Sequence, residues 1–217
     1  MPFFVIFGVD MKEYKTIEKF AFDKFTEKKS EFIGYAKPVE TVEEAMSFVA
    51  EIKKKHWDAT HNVWAYVMKD GITKRCSDNG EPSGTAGVPV LDVIEKSKVV
   101  GACVVVTRYF GGILLGAGGL VRAYSHGSKI ALEASNIITM ALCDVLEVCV
   151  DYSFYDRLNI LLGDFNSTIK NTEFTDKVSV KFTLQNKDTS AFNEKLFEIS
   201  NGKYFAKTIG NEYAKIY

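Results

Sequence analysis

The sequence predicts a mixed α+β protein with two domains, and three observations support this fold class. The 217 residues exceed one typical small domain and fit two. Hydrophobic residues make up 47% and charged residues 25%, close to globular averages, so each half can bury a core. Strand-like segments are interleaved with segments whose apolar residues recur at helical spacing. Because the composition changes after Ser135, we expect domains at 1–138 and 139–217.

In the first half, turn residues mark most ends of the predicted strands and helices. Thr41 and Glu44 form a capping-box pattern, which predicts a helix ending near Lys55. Asp70-Gly71 predicts a hairpin turn, and two glycine-rich stretches predict loops. The expected elements are strands at 31–39, 62–68, 72–76 and 102–107 and helices at 41–55, 88–98 and 120–134. The β-branched run at 102–107 is typical of a buried central strand.

The second half repeats strand and helix patterns in a different order. We expect strands at 141–152, near 173, at 177–185 and at 204–209, and helices at 156–165 and 189–200. Asn201-Gly202 is a helix stop signal. The resulting order, βαββαβ, is the ferredoxin-like arrangement.

Charge and cysteine content restrict the classes of partner. The formal net charge is −1, so nucleic-acid contact would require a local basic patch. The four cysteines contain no CxxC pair and are expected to be reduced thiols of a cytoplasmic protein. Residues 1–10 are apolar but too short to span a membrane, and we expect a loose extension there. No membrane partner is expected.

The most informative sequence lies between Arg75 and Ser125. It contains RCSDNGEPSGTAGVPVL, followed by VVVTRYFGGILLGAGGLVRAYS. These stretches resemble the YigZ/IMPACT family, and the resemblance covers about residues 14–135, with weaker motifs in the tail. Further matching residues are Lys29–Gly34 and His61-Asn62.

This resemblance implies a fold and a general role. The first domain is expected to be similar to domain 2 of ribosomal protein S5. The ferredoxin-like second domain is expected to be similar to a domain of elongation factor G. Eukaryotic relatives modulate the kinase that senses uncharged tRNA, but partly through an extra N-terminal domain that is not found in these residues. We therefore carry over a link to translation rather than to the kinase.

Three arginines stand beside glycines or turn residues and are candidates for binding phosphate. Arg75, Arg108 and Arg122 could grip phosphates bidentately, and Tyr109 could stack on a base. His61 is a further candidate contact. The partners expected are RNA, the ribosome or a translation-related protein, without DNA sequence specificity. The alternative is that the arginines pair with loop acids and only hold the loops together.

The glycine-rich stretch 111–119 opens a helix, whose free amides would attract an anion. It lacks the Gly-Lys-Ser/Thr of a P-loop, and Val121 replaces the last glycine of a dinucleotide fingerprint. Tight backbone packing is the alternative explanation for its composition. The candidate loop glycines are Gly84, Gly87, Gly111, Gly112, Gly116, Gly118 and Gly119.

Catalysis is the second hypothesis, with a hydrolase or nucleotide-using site between loops 77–87 and 109–119. Asp78 and Glu81 could perform acid–base work, but a loop of this composition more often caps its own turns. Ser83 lies in Pro-Ser-Gly rather than in a nucleophile elbow. We assign no catalytic residue, cofactor or metal. A module that binds proteins and regulates translation under stress is the third hypothesis.

Overall fold

The computed structural model describes residues 13–216, so the expectation for residues 1–10 lies outside the described part. The chain divides after Ile138 into two compact units. Within the described residues, no helix is long and apolar enough to cross a membrane. The α+β class predicted from the sequence is confirmed, since both units combine helices with antiparallel sheets.

In the first unit, the described residues from 13 onward form six strands and three helices before the boundary. In chain order they are β1 (Glu13–Ile17), β2 (Ala21–Glu27), β3 (Ser30–Pro38), α1 (Val42–Lys55), β4 (His61–Val67), β5 (Lys74–Ser77), α2 (Gly87–Lys96), β6 (Ala102–Tyr109) and α3 (Ala117–Ala134). The sheet runs in the order β2-β3-β6-β4-β5, and its pairs are antiparallel. The predicted central position of β6 is confirmed.

Both faces of this sheet are covered. Helices α2 and α3 pack on one face around Val104, Val106 and Tyr124. Helix α1 packs on the other face around Phe48 and Tyr35. With a core on each face, the central strands are apolar on both sides, which explains the uninterrupted β-branched sequence of β6.

The helix cap at Thr41 and the hairpin turn at Asp70-Gly71 both form, but their hydrogen bonds or bounds differ from the prediction. Thr41 Oγ1 accepts from the amide of Glu44 at 3.2 Å, as the capping pattern predicts. The Glu44 carboxylate accepts from the amide of Glu40 at 2.7 Å, rather than from that of Thr41. After the hairpin turn, the carboxylate of Asp70 accepts from the amides at 72 and 73. Strand β5 therefore begins at Lys74, two residues later than predicted.

The second unit has the predicted ferredoxin-like order. Its elements are β7 (Ile137–Val150), α4 (Tyr152–Asp164), β8 (Thr168–Phe174), β9 (Val178–Gln185), α5 (Thr189–Ile199) and β10 (Lys207–Ile216). The strands lie in the order β10-β7-β9-β8, with antiparallel pairs. Both helices pack on one face, around Leu158, Phe182 and Phe192.

The last strand begins at Lys207, so the predicted start at Tyr204 was wrong. Residues 204–206 are held in place by side-chain contacts rather than by hydrogen bonds to a neighbouring strand. Tyr204 is buried, and its hydroxyl donates to Asp151 at 2.9 Å. The amide of Ala206 donates to Asn193 Oδ1 at 2.9 Å. An aromatic residue packed in the core produced a strand-like pattern without strand pairing.

Candidate functional site

The predicted site residues gather mainly at one end of the first unit's sheet. The register places the start of β3, the end of β6 and the start of β4 side by side, with Glu31 opposite Tyr109 and His61 opposite Arg108. Four connections meet at this end: the β2–β3 turn, the segment 56–60 that leads into β4, the loop 78–86 and the loop 110–116. We call this region the glycine-loop end.

Arg108 points into the protein at the glycine-loop end. Its side chain lies in an ion pair with Glu81, with 2.7 Å between Nη1 and Oε1. Only 5% of Arg108 and 8% of Glu81 is exposed. The rings of Phe32 and Phe110 each lie 5.4 Å from the guanidinium carbon. The expectation that Arg108 grips a phosphate on the surface is therefore corrected: for this arginine, pairing with a loop acid is what the structure shows.

Tyr124 and His61 extend the same buried cluster. The Tyr124 hydroxyl donates to Glu81 Oε1 at 2.7 Å, and His61 Nε2 lies 3.7 Å from Glu81 Oε2. Burial, followed by the hydrogen bond to Glu81, raises the pKa of Tyr124 far above its ordinary value of 10.0. Tyr124 therefore stays protonated and remains a donor. The other nitrogen of His61 donates to the carbonyl oxygen of Asn79 at 3.0 Å.

Asp78 organises the loop that carries Glu81. Its carboxylate accepts from the backbone amides of Gly84, Ala86 and Gly87 at 2.8–3.0 Å. Partial burial alone would raise the pKa of Asp78, but these three amides outweigh it and lower the pKa below 3.8. Both loop acids are thus engaged by groups of the fold. Among residues 13–216, no group of three or more histidine, cysteine or acidic side chains is placed to hold a metal.

Tyr109 is also held by neighbours. Its hydroxyl donates to Asp58 Oδ1 at 3.1 Å and lies 2.8 Å from His56 Nδ1. Because His56 Nε2 lies 2.7 Å from the Tyr35 hydroxyl, the chain is satisfied when a neutral His56 donates to Tyr109 and accepts from Tyr35. Burial, followed by the bond to Asp58, raises the pKa of Tyr109. These bonds fix the position of the Tyr109 ring, and its stacking role stays a prediction.

The loop glycines fall into two structural groups. A β-carbon at Gly87 would lie 2.7 Å from the Ser77 backbone, and one at Gly111 would lie 2.0 Å from the Lys29 backbone. Close packing therefore requires glycine at both positions. Gly84, Gly112 and Gly116 have φ between +70° and +82° with open space around them. Glycine is favoured there by backbone conformation.

Gly118 belongs to neither group. It lies in the first turn of α3. Glycine is less favourable than alanine in a helix, by about 1 kcal/mol in the interior. A β-carbon at Gly118 would meet only Arg122 Nη1, at 4.0 Å. At the next position, a β-carbon on Gly119 would lie 3.0 Å from Leu115. Packing accounts for Gly119 but not for Gly118, which leaves open backbone beside a guanidinium group.

A cleft of 480 Å³ opens beside this helix start. Three of its lining residues, Lys28, Arg122 and His126, are basic side chains, and Glu27 is the only acid among them. Arg122 is exposed and forms no ion pair with a described residue. Helix α3 begins without a side-chain cap and without an acid in its first turn. The arrangement favours an anionic ligand.

The sequence prediction placed Arg75 in the binding set and missed Lys28, the lysine that lines the cleft. Arg75 is exposed on the edge strand β5, opposite Tyr66, and does not line the cleft. Lys28 and Lys29 occupy the two-residue β2–β3 turn with φ of 45° and 67°. Such turns are usually recognised by asparagine and glycine, and neither residue occurs here to signal the turn.

Comparison with known proteins places this geometry in a family. The model of the Impact N-terminal domain matches residues 28–132, and that of a domain of unknown function, DUF1949, matches 148–203. The chain is 37% identical to IMPACT family member YvyE of Bacillus subtilis, over 89% of each chain. The chain belongs to the IMPACT family. IMPACT family member YigZ of Escherichia coli is 36% identical over 81% of this chain and 87% of its own length.

A mouse relative and one solved structure are also similar to the chain. Mouse Protein IMPACT is 36% identical over 42% of this chain and 30% of its own length. A crystal structure described as that of a hypothetical protein is 31% identical, with a TM-score of 0.57, over 93% of this chain and all of the other. The family resemblance inferred from the sequence is confirmed. The matched Impact N-terminal segment includes Lys28, the Glu81–Arg108 pair and Arg122.

Proposed function

We propose that this IMPACT family chain is a non-catalytic, translation-associated factor that binds RNA through the cleft at the glycine-loop end. The observation that carries the proposal is the unpaired Arg122 beside the open backbone of Gly118, at an uncapped helix start. A guanidinium group can grip a phosphate bidentately, and free amides at a helix start add further donors. The link to translation rests on the family resemblance.

The composition of the cleft favours phosphate over base recognition. Lys28 and Arg122 supply positive charge for a phosphate, and Tyr109, the predicted base-stacking residue, does not line the cleft. Phosphate contacts carry little sequence information, and their strength falls with salt. We therefore expect RNA binding that is salt-sensitive and largely independent of sequence.

The direct test is fluorescence anisotropy with a labelled RNA hairpin at about 50 and about 200 mM salt. Arg122→Gln should weaken binding and reduce the slope of log affinity against log salt by about 1. Arg157→Gln is the matched control, because Arg157 is an exposed arginine of α4 in the second unit. The proposal fails if the wild type does not bind at low salt, or if both variants bind equally well.

A protein partner is the second candidate, supported by a separate observation. Large apolar side chains are exposed at or near the glycine-loop end: Trp57 is 83% exposed and Leu114 is 82% exposed. Phe110 and Ile113, in the same loop as Leu114, are 44% and 41% exposed. Exposed apolar clusters of this kind mark protein interaction sites. The enzyme hypothesis has weaker support, since Asp78 and Glu81 are both engaged by the fold.

A further inference from the structure

A second aromatic surface lies along the edge strand β2, on the opposite face of the sheet from the cleft. Phe20 is 48% exposed and Phe22 is 53% exposed, although both are large apolar side chains. Both rings pack on the buried ring of Tyr35, with centroid distances of 6.4 and 5.4 Å. We call Phe20, Phe22 and the adjacent Lys55 the β2 platform.

The position of the platform follows from strand alternation. Phe22 lies opposite Tyr35 and therefore on the face covered by α1. Phe25, three residues later, points to the other face and lines the cleft. Strand β2 thus carries an aromatic surface on one face and part of the cleft on the other.

Two lysines lie close to the aromatic rings of this surface. Lys55 Nζ lies 5.6 Å from the ring centre of Phe22 and 5.0 Å from that of Tyr35. Lys37 Nζ lies 5.5 Å from the ring centre of Phe48. Neither lysine forms an ion pair with a described residue. Lys55 also ends a run of three lysines in the last turn of α1.

We propose that the β2 platform binds single-stranded RNA. Unpaired bases would stack on Phe20 and Phe22, and Lys55 would contact a phosphate. Base–aromatic stacking combined with nearby cations is the usual way in which proteins bind single strands without sequence preference. A duplex is disfavoured because its bases are already stacked on one another. The unpaired lysines beside the rings favour a phosphate-bearing ligand over an apolar protein surface.

The platform and the cleft are linked by one strand but can be tested separately. Six residues separate Phe22 from Lys28, which corresponds to about 20 Å along β2. An RNA with a single-stranded segment next to a duplex could therefore contact both surfaces. The inference extends the proposed function by naming single-stranded RNA as a ligand, and it does not require the cleft to bind.

The test compares two labelled RNAs, a single-stranded oligonucleotide of about 12 nucleotides and a blunt hairpin. Phe22→Leu keeps an apolar side chain but removes the ring, and it should weaken single-strand binding roughly 5- to 100-fold. Phe22→Tyr should retain binding within about twofold, because it keeps the ring that stacks. Phe205→Leu is the matched control, since Phe205 is 62% exposed in the second unit.

Further variants separate the two surfaces and guard against misfolding. Lys55→Gln should leave the fold unchanged and reduce the single-strand salt slope by about 0.7. Arg122→Gln should weaken binding of the hairpin more than binding of the oligonucleotide. The inference is overturned if the wild type does not bind the oligonucleotide. It is also overturned if Phe22→Leu and Lys55→Gln both bind the oligonucleotide with wild-type affinity. Neither outcome depends on how the hairpin binds. If the wild type binds the oligonucleotide but not the hairpin, the proposal for the cleft is refuted and the proposal for the platform is retained.

Discussion

Arg108 Nη1 donates to Glu81 Oε1 across 2.7 Å, and both side chains are more than nine-tenths buried. The pair connects β6 to the loop 78–86, two segments separated by 27 positions in the sequence. Tyr124 adds a second contact, from α3, to the same carboxylate oxygen. The loop, the central strand and the helix beside the cleft are therefore held together by one buried carboxylate.

The first prediction is that Glu81→Gln strongly destabilises the first unit. The substitution leaves the buried charge of Arg108 without a counter-ion, and breaking such a pair costs about 3–5 kcal/mol. Urea unfolding measures the change in the free energy of unfolding. The control is Glu212→Gln, which breaks an exposed pair with Lys170 of the same 2.7 Å length and should cost less than about 1 kcal/mol. Equal losses for the two variants would contradict a structural role for the buried pair.

The second prediction is that the contribution of Asp78 to stability is lost at low pH. Its folded-state pKa is lowered, so its stabilising effect is complete above the pKa of the unfolded chain and is lost as pH falls through the folded value. Asp78→Asn should cost about 1–3 kcal/mol at neutral pH, because an amide oxygen accepts less strongly than a carboxylate. The difference from wild type should shrink below about pH 4. Urea unfolding at pH 7 and at the lowest pH where both proteins fold measures it; a difference independent of pH would refute this account.

The sequence predicts the architecture better than it predicts the site. Periodicity and turn residues located α1, β6 and α3 because those signals are local. The burial of Arg108 depends on Glu81, a partner brought close only by the fold. A sequence pattern cannot distinguish an arginine that faces solvent from one paired in the interior. Glycine content was similarly ambiguous, since Gly111 is required by packing whereas Gly118 is not.

Strand β2 was missed for a related reason. It is an edge strand with solvent on one side, so no apolar run marks it. Its apolar positions, Phe22 and Phe25, face opposite sides of the sheet and do not form an alternating pattern. The turn that follows uses Lys28 and Lys29 in the left-handed region, where sequence rules anticipate glycine or asparagine. Lys28, which lines the cleft, was missed together with this strand and turn.

The third prediction separates a protein partner from RNA. Leu114 is 82% exposed, so Leu114→Ser should leave the free energy of unfolding within about 0.5 kcal/mol of wild type. It should also leave hairpin affinity unchanged. If the apolar loop binds a protein, the variant should lose a partner that wild type retains after nuclease treatment in a pull-down. Ile160→Ser, at a residue 66% exposed in the second unit, is the control. Identical captured proteins for both variants and wild type would remove the support for this candidate.

The last prediction uses two helical glycines with open space around them, one in the first turn of α3 and one in the last turn of α4. A β-carbon at Gly163, in α4 of the second unit, would meet nothing within 4 Å, and one at Gly118 would meet only Arg122 at 4.0 Å. Alanine should therefore be tolerated at both positions and should stabilise the helix by up to about 1 kcal/mol. If α3 presents its first turn to phosphate, Gly118→Ala should nevertheless weaken hairpin binding, because a methyl group then occupies the approach to the amides and to Arg122.

Anisotropy titrations measure the hairpin affinity of both variants, and urea unfolding measures their free energies of unfolding. We expect Gly118→Ala to bind the hairpin more weakly than wild type while its fold is at least as stable. We expect Gly163→Ala to bind normally. Together these results would place the effect at the surface that contacts the RNA. If Gly118→Ala binds the hairpin as well as wild type does, the helix start is not part of the interface. The role of Arg122 would then have to be electrostatic attraction alone, and the salt slope of Arg122→Gln would be the remaining measure of it.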